Sequence, residues 1–441
     1  MNNNGKAWII SVSMGYGHQR TAYPLRDFGV GGKTINANDY QGIPKRDKRI
    51  WESTRIFYEF MSDFKKIPLV GDFSFYLYNK FQEIPAFYPK RDLSKPTFSL
   101  KKIFSVIKKG WGKDLVQKLE LNNEKLKERL PLITTFFTPA FMAEEFGYSG
   151  EIFCVICDAD ISRAWAPLDP GRSRIKYLAP NSWVADRLTL YGVKPKNIFL
   201  AGYPLPLENI GSERMEIVKN DFGQRLLNLD PKKQYLSYYS PLVEKYAGDL
   251  RRKMARPPTL MFSIGGAGAQ KEIAIKALKS LKSRIKDGEM KMILSVGVRK
   301  ELKDYFFQMA DRMGIGRGFE SGLEILFAEN IAGYFQKFNQ ALRKTDVLWT
   351  KPSELSFYSA LGLPVIVAPT IGSQEDFNRK WLLRIGSGLP QENPKYISQW
   401  FFDCLEGGRF AEAAMQGFVE IEKMGVYNIK KICFGGADYR I

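Results

Sequence analysis

The feature that most constrains this chain is its alternation of short apolar runs with helix-length amphipathic segments. It opens with Ala7–Ser13 (AWIISVS), which leads into Gly15 and Gly17. Comparable runs recur at Leu132–Phe137, Ile152–Cys157, Lys176–Ala179, Ile198–Ala201, Thr259–Ile264, Met290–Val296, Glu324–Ala328, Val347–Thr350 and Pro364–Ala368. Short runs that are apolar throughout fit strands buried on both faces of a parallel sheet. Between them, Ile273, Ala274, Ala277, Leu278, Leu281 and Ile285 recur at the helical period, as do Phe335, Phe338, Ala341 and Leu342. Strands alternating with helices predict an α/β protein with parallel sheets. A break at Gly202–Pro206 (GYPLP) precedes Glu208–Pro258, which has no clear strand and carries the basic cluster Arg251, Arg252, Lys253 and Arg256. The expected domains are 1–205 and 206–441.

The 441 residues are 44% hydrophobic and 26% charged, an ordinary globular balance. Collagen-like, disordered and disulfide-scaffold chains are excluded. No apolar run approaches the roughly 18 residues needed to span a bilayer. Met1–Gly5 has neither the basic nor the apolar region of a signal peptide. A cytoplasmic protein, free or peripheral on the inner face of the membrane, is expected. The four cysteines fit a reducing compartment. Cys154 and Cys157 form a single CxxC within an apolar run, which reads as core strand rather than metal or redox site.

The net charge of +19 concerns partners rather than fold. Part of it is local: residues 45–113 hold 16 basic and 7 acidic residues. Fifteen aromatics interleave with them, including Trp51, Phe57, Tyr58, Phe60, Phe73, Phe75, Tyr76, Tyr78, Phe87, Tyr88, Phe104 and Trp111. This stretch reads as a helical insertion in the N-terminal domain. It is either an aromatic-packed subdomain with a solvated basic face or a surface for anionic lipid. Nucleic acid is disfavoured, because no nucleic-acid motif accompanies the charge.

Three blocks carry chemistry. His18 is the only histidine and closes Ser13-Met14-Gly15-Tyr16-Gly17-His18, directly after a buried strand. Imidazole titrates near neutrality and suits a general base. Pro24 limits the helix that follows. Ser263–Ala269 repeats the strand-to-glycine-turn pattern, with Gly265, Gly266 and Gly268 before an amphipathic helix. The amide groups at such a helix start favour phosphate. The third block runs from Thr350-Lys351-Pro352-Ser353-Glu354 through Gly362-Leu363-Pro364 to Gly372-Ser373-Gln374-Glu375-Asp376-Phe377-Asn378. Its amide and carboxylate groups suit sugar hydroxyls.

Taken in order, these blocks resemble the GT-B glycosyltransferases. The likeness is to the group of monogalactosyldiacylglycerol synthase, processive diacylglycerol glucosyltransferases and the lipid-II N-acetylglucosaminyltransferase. Ser13–His18 resembles the family's glycine-rich opening turn, Cys157-Asp158…Trp165 its Thr-Asp-Phe…Trp stretch, and Gly265–Gly268 its donor loop. Val296-Gly297-Val298-Arg299 resembles its Val-x-Gly-(Lys/Arg) element. Asp346…Thr350–Glu354 and Ile371–Asn378 resemble its Asp-x-x-x-Thr-Lys-Pro-Gly-Gly and Pro-Gly-Gln-Glu-x-x-Asn elements. The set spans roughly residues 7–380.

The resemblance implies two Rossmann-like domains facing a cleft. It implies a nucleotide-sugar donor, most often a UDP-sugar, and a lipid or cell-envelope acceptor. It makes His18 and Asp158 catalytic and puts Gly15, Gly17 and Trp165 on the acceptor side. Donor binding falls to Gly265, Gly266, Gly268, Arg299, Lys351, Ser353, Glu354, Gln374, Glu375 and Asn378. No metal or other cofactor is implied; Asp158-Ala159-Asp160 is not read as a metal-binding DxD, and Asp158 is given an acceptor-side role. Two departures stand out. Ser353-Glu354 replaces the family's Gly-Gly, and Phe357 stands where the family has a ribose-binding Glu, with Glu354 one turn earlier as a substitute. A non-catalytic nucleotide or lipid binder and a nucleotide-sugar 2-epimerase are the alternatives. The epimerase chemistry usually needs more than one histidine.

Overall fold

The computed structural model describes residues 5–53, 83–250, 253–264, 270–316, 318–370 and 373–435. The donor-loop glycines Gly265, Gly266 and Gly268 lie outside the described residues, as do Arg251, Arg252 and residues 54–82 of the insertion. The chain forms two compact units. One comprises Met1–Leu205, Ile371–Asn378 and Met424–Ile441; the other comprises Pro206–Thr370 and Arg379–Lys423.

Each unit is α/β and built on a six-stranded parallel sheet. In the first, the strands are β1 (Ala7–Ser11), β2 (Gly29–Asn36), β3 (Leu132–Thr134), β4 (Ile152–Val155), β5 (Lys176–Ala179) and β6 (Ile198–Leu200). Their order is β2-β1-β3-β4-β5-β6. In the second they are β7 (Thr259–Ser263), β8 (Lys291–Gly297), β9 (Leu323–Phe327), β10 (Val347–Thr350), β11 (Val365–Val367) and β12 (Gly388–Pro390). That order is β12-β11-β10-β7-β8-β9. Counted from β7 it is 3-2-1-4-5-6, the dinucleotide-fold order. Both units are Rossmann-like.

The central strands are apolar because both their faces are covered by helices. β1, β3, β4, β7, β10 and β11 are buried along their whole length. Each fully buried Ile or Leu among them contributes about 1.5–3 kcal/mol. In the helix Lys271–Lys286 the buried stripe is Ala274, Ile275, Ala277, Leu278, Leu281 and Ile285. Ile275, not Ile273, faces the core there.

Apolar patterning misses two strands, β2 and β12. Both are sheet edges, where a strand needs less apolar surface. β2 (GVGGKTIN) is exposed from Gly31 to Thr34. At Gly29 the chain doubles back so closely that a Cβ would collide with the Lys33 carbonyl.

Within the insertion, 45–53 and Phe98–Lys108 are helical and 83–97 is irregular; the helix Lys113–Leu126 begins at its end. Its described aromatics mostly face inward. Trp51 and Trp111 are buried edge to face at 4.7 Å. Phe104 packs on Phe141 at 5.0 Å, and Phe87 stacks on Trp183 at 4.0 Å. Tyr88 and Phe98 are the exposed ones, at 65% and 70%. Phe57, Tyr58, Phe60, Phe73, Phe75, Tyr76 and Tyr78 lie outside the described residues. Among the described residues no helix is long and apolar enough to cross a membrane.

Candidate functional site

Each sheet has one point where the strand order reverses. It falls between β1 and β3 in the first unit and between β7 and β10 in the second. Neighbouring crossovers leave such a point toward opposite faces, opening a crevice at the carboxyl ends of the strands. The sequence blocks fall at these two places.

In the first unit, β1 runs into Gly15, whose φ of 89° suits only glycine. The helix Tyr16–Ala22 starts there and gives way to a 3-10 segment, Tyr23–Phe28, with Pro24 in its first turn. Pro24 thus ends the α-helix and is tolerated as a new start. His18 projects from the first turn of the short helix and is half-buried. Its Nδ1 lies 2.8 Å from the carbonyl oxygen of Thr135, the residue after β3. The Thr135 hydroxyl donates back to the His18 carbonyl at 2.9 Å. The histidine is therefore clamped across the reversal point from both its ring and its backbone.

The clamp fixes the tautomer. A carbonyl only accepts, so Nδ1 carries the proton, and in the neutral ring the basic lone pair sits on Nε2. Cys157 Sγ is 3.3 Å from the same Nδ1. The aromatic surround is Phe136, edge-on at 4.7 Å, and Trp165 at 6.4 Å. Because His18 is the only histidine, a nitrogen-15 imidazole spectrum is unambiguous. The neutral ring is expected as the Nδ1–H form; an Nε2–H signal would contradict the clamp.

Thr135, Cys157 and Asn38 are the parts that sequence reading misses. Asn38 follows the edge strand β2, and its Oδ1 accepts from the Ser13 amide at 2.8 Å, pinning the turn after β1. Cys157 reads from sequence as core strand, but β4 ends at Val155. The thiol lies beyond the strand, against the imidazole. A CxxC with its second cysteine at a strand's carboxyl end is the signal that could have found it.

Asp158 follows Cys157 and is half-buried. Its Oδ1 accepts from Asn378 Nδ2 at 3.1 Å, while Asn378 Oδ1 accepts from the Ala159 amide at 2.7 Å. Asn378, which the resemblance puts among the donor-binding residues, is buried, and its amide holds the Asp158 loop. Trp165 is likewise a wall rather than an open contact: it is 1% exposed, and its carbonyl accepts from Tyr177 at 2.9 Å. Gly17 lies within the helix, its carbonyl accepting from Thr21 at 2.8 Å. Gly15 is exposed, and Gln374 and Glu375 are half-buried.

Asp160 has a different role from Asp158. It is 2% exposed and accepts four N–H groups: Arg187 Nε and Nη2 at 2.8 and 2.7 Å, Trp183 Nε1 at 2.8 Å and the Ile161 amide at 2.8 Å. Four donors match the carboxylate's four lone-pair positions. The second acid of Asp158-Ala159-Asp160 is therefore structural.

In the second unit, β7 ends at Ser263 beside β10, which ends at Thr350. Arg299 stands two residues beyond β8, at the N-terminus of the helix Lys300–Met313. Lys351 and Ser353 are half-buried and Glu354 is buried at 8% exposure. Glu354–Leu361 is a 3-10 helix. With three residues per turn, Glu354 and Phe357 share one face. Phe357 is fully buried against Trp381, with ring centroids 4.9 Å apart. Gln270, at the head of the helix Lys271–Lys286, is buried with both amide atoms lacking a partner among the described residues. Leaving such a group unsatisfied costs about 1–3 kcal/mol, and composition gives no hint of it.

Residues 244–317 match a family model described as a domain of unknown function, DUF6938. No curated protein matches the chain. Among solved structures, the chain is similar to UDP-GlcNAc 2-epimerase from Neisseria meningitidis bound to UDP-GlcNAc, at 12% identity over 97% of each chain with a TM-score of 0.46. It is also similar to MurG from Acinetobacter baumannii, at 13% identity over 97% of this chain and 99% of that one, TM-score 0.46. A third likeness is to the glycosyltransferase SnogD from Streptomyces nogalater, at 13% identity over 98% and 99% of the two chains, TM-score 0.39.

Proposed function

We propose that this protein is a GT-B-type glycosyltransferase that moves a sugar from a nucleotide-diphosphate donor to a lipid or cell-envelope acceptor. The observation that carries the reading is the clamped histidine at the reversal point of the first sheet. Its Nδ1 is tied to the Thr135 carbonyl, which makes Nε2 the basic atom. A base so oriented suits removal of a proton from an acceptor hydroxyl. Asp158, on the loop that touches the same histidine through Cys157, would position that hydroxyl. The ordered motifs from Ser13 to Asn378 support the same reading.

Donor binding is assigned to the second unit's reversal point. The glycine turn and the helix head behind it favour a diphosphate. Arg299 would offset its charge as the leaving group departs. Gln270, buried without partners, would be satisfied by ligand. Glu354 would take the ribose hydroxyls from the helical face it shares with Phe357. A UDP-sugar is the expected donor. Contact with an anionic membrane surface is part of the proposal and rests on the charge of 45–113 and on the exposed Tyr88 and Phe98.

A second reading, nucleotide binding without turnover, is favoured by Phe357 itself, whose buried ring occupies the place of the family's acid. Calorimetry with UDP, GDP, ADP and their sugar conjugates tests both. Saturable binding of one nucleotide is expected, weakened about tenfold, some 1.4 kcal/mol, in Arg299→Ala and Glu354→Ala. Binding without sugar transfer would favour the second reading. Absence of binding by every nucleotide would remove both.

A further inference from the structure

The second unit holds a cavity of about 600 Å³ that none of the motifs touches. That size falls within the roughly 300–1,000 Å³ of small-molecule sites. Its lining places it at the amino ends of the strands. Arg256 and Pro257 precede β7, Lys291 opens β8, Phe319 precedes β9, and Arg343 and Lys344 precede β10. Arg299, Lys351 and Glu354 follow the carboxyl ends of the same sheet's strands. The cavity is therefore at the opposite edge of the sheet from the proposed donor site.

Among the described residues, five cations line it, Lys253, Arg256, Lys291, Arg343 and Lys344, against one acid, Asp221. They come from three separate chain segments, so the cluster is made by the fold and not by a basic run. Four of the five meet a carboxylate, but Glu320, Glu324 and Asp346 stand outside the cavity lining. Arg343 takes Asp221 through two bonds, at 2.9 and 3.3 Å. Lys291 reaches Glu320 at 3.0 Å, but that carboxylate is 90% exposed, and such pairs contribute little. Lys344 reaches Glu324 at 2.7 Å. Arg256 reaches the buried Asp346 at 3.4 Å.

Lys253 is bonded to neutral oxygens, the carbonyl and side-chain oxygen of Asn220, at 2.7 and 2.8 Å. Burial pulls its ammonium below the usual lysine range. The Lys291 and Lys344 ammoniums also stand 4.2 and 3.9 Å from the centre of one ring, Phe319. An anion seated among these cations would be attracted by their summed positive field.

We propose that this cavity is a second ligand site, for a phosphate-bearing group, separate from the residues assigned to donor and acceptor. The group belongs either to a free phosphorylated metabolite or to an anionic lipid headgroup. The inference does not depend on the glycosyltransferase reading.

Calorimetry with inorganic pyrophosphate tests it in the Arg299→Ala background, which mutes the donor site. Saturable binding is expected, at least tenfold weaker when Lys253→Gln or Lys291→Gln is added. Flotation with phosphatidylcholine vesicles, with and without phosphatidic acid, separates the sources. Phosphatidic acid-dependent flotation lost in Lys253→Gln assigns a lipid headgroup; pyrophosphate binding without such flotation assigns a free phosphate. Lysine acetylation of the unsubstituted protein guards against variants that fail to fold. Pyrophosphate is expected to slow modification of Lys253, Lys291 and Lys344. The proposal is overturned if the lysine variants bind as tightly as their parent, or if neither pyrophosphate nor phosphatidic acid vesicles are bound or protect these lysines from acetylation.

Discussion

Arg187→Ala is expected to destabilise the histidine-bearing unit by about 3–5 kcal/mol, read as a lower midpoint in urea unfolding. Arg187 is completely buried and its partner Asp160 almost so. Removing the guanidinium takes two of the four donors from a carboxylate that has no water to replace them. It also removes the bond to the Pro85 carbonyl at 2.9 Å and the cation set 4.9 Å from the centre of the Phe87 ring. The Asp158 loop begins two residues before this pair, so Asp158 should lose its order with it. A double variant, Asp160→Leu with Arg187→Met, should cost less than the two single losses added together, because no charge is left buried alone. A loss below about 1 kcal/mol, the range of an exposed pair, would contradict this account.

His18→Ala is expected to lower turnover by about a hundred- to ten-thousand-fold while leaving nucleotide affinity unchanged. Deleting the imidazole removes the basic Nε2 and leaves Arg299, Lys351 and Glu354 of the second unit, the proposed donor residues, in place. Cys157→Ala is a useful companion. It leaves the Thr135 carbonyl in place, so the tautomer should persist and turnover should fall much less. Unchanged turnover in His18→Ala, measured with the donor identified by calorimetry, would dismiss the histidine as base. Loss of both turnover and nucleotide binding would point instead to a structural failure.

The sequence by itself determined the α/β class and the central strands. Strands covered on both faces must be apolar throughout, and a chain that returns parallel must cross over through a helix. These requirements are local enough to read. The edge strands β2 and β12 were not legible, since an edge buries less and tolerates the glycines and proline found there. His18 was legible as a candidate because it is unique and follows a glycine turn.

Only the tertiary structure decided what surrounds that histidine. Thr135 and Cys157 are 117 and 139 residues away in sequence, and the pairing of β1 with β3 and of β3 with β4 brings them beside it. The division between Asp158 and Asp160 was settled in the same way. Asp158 accepts from Asn378 and Asp160 from Arg187, although only Ala159 separates them and both look alike in the chain. The basic cavity was equally hidden, because its five cations lie on segments that meet only at the amino ends of a folded sheet. Local propensity sets which segments become strands; the order in which the strands pair sets which distant side chains become neighbours, and chemistry depends on the neighbours.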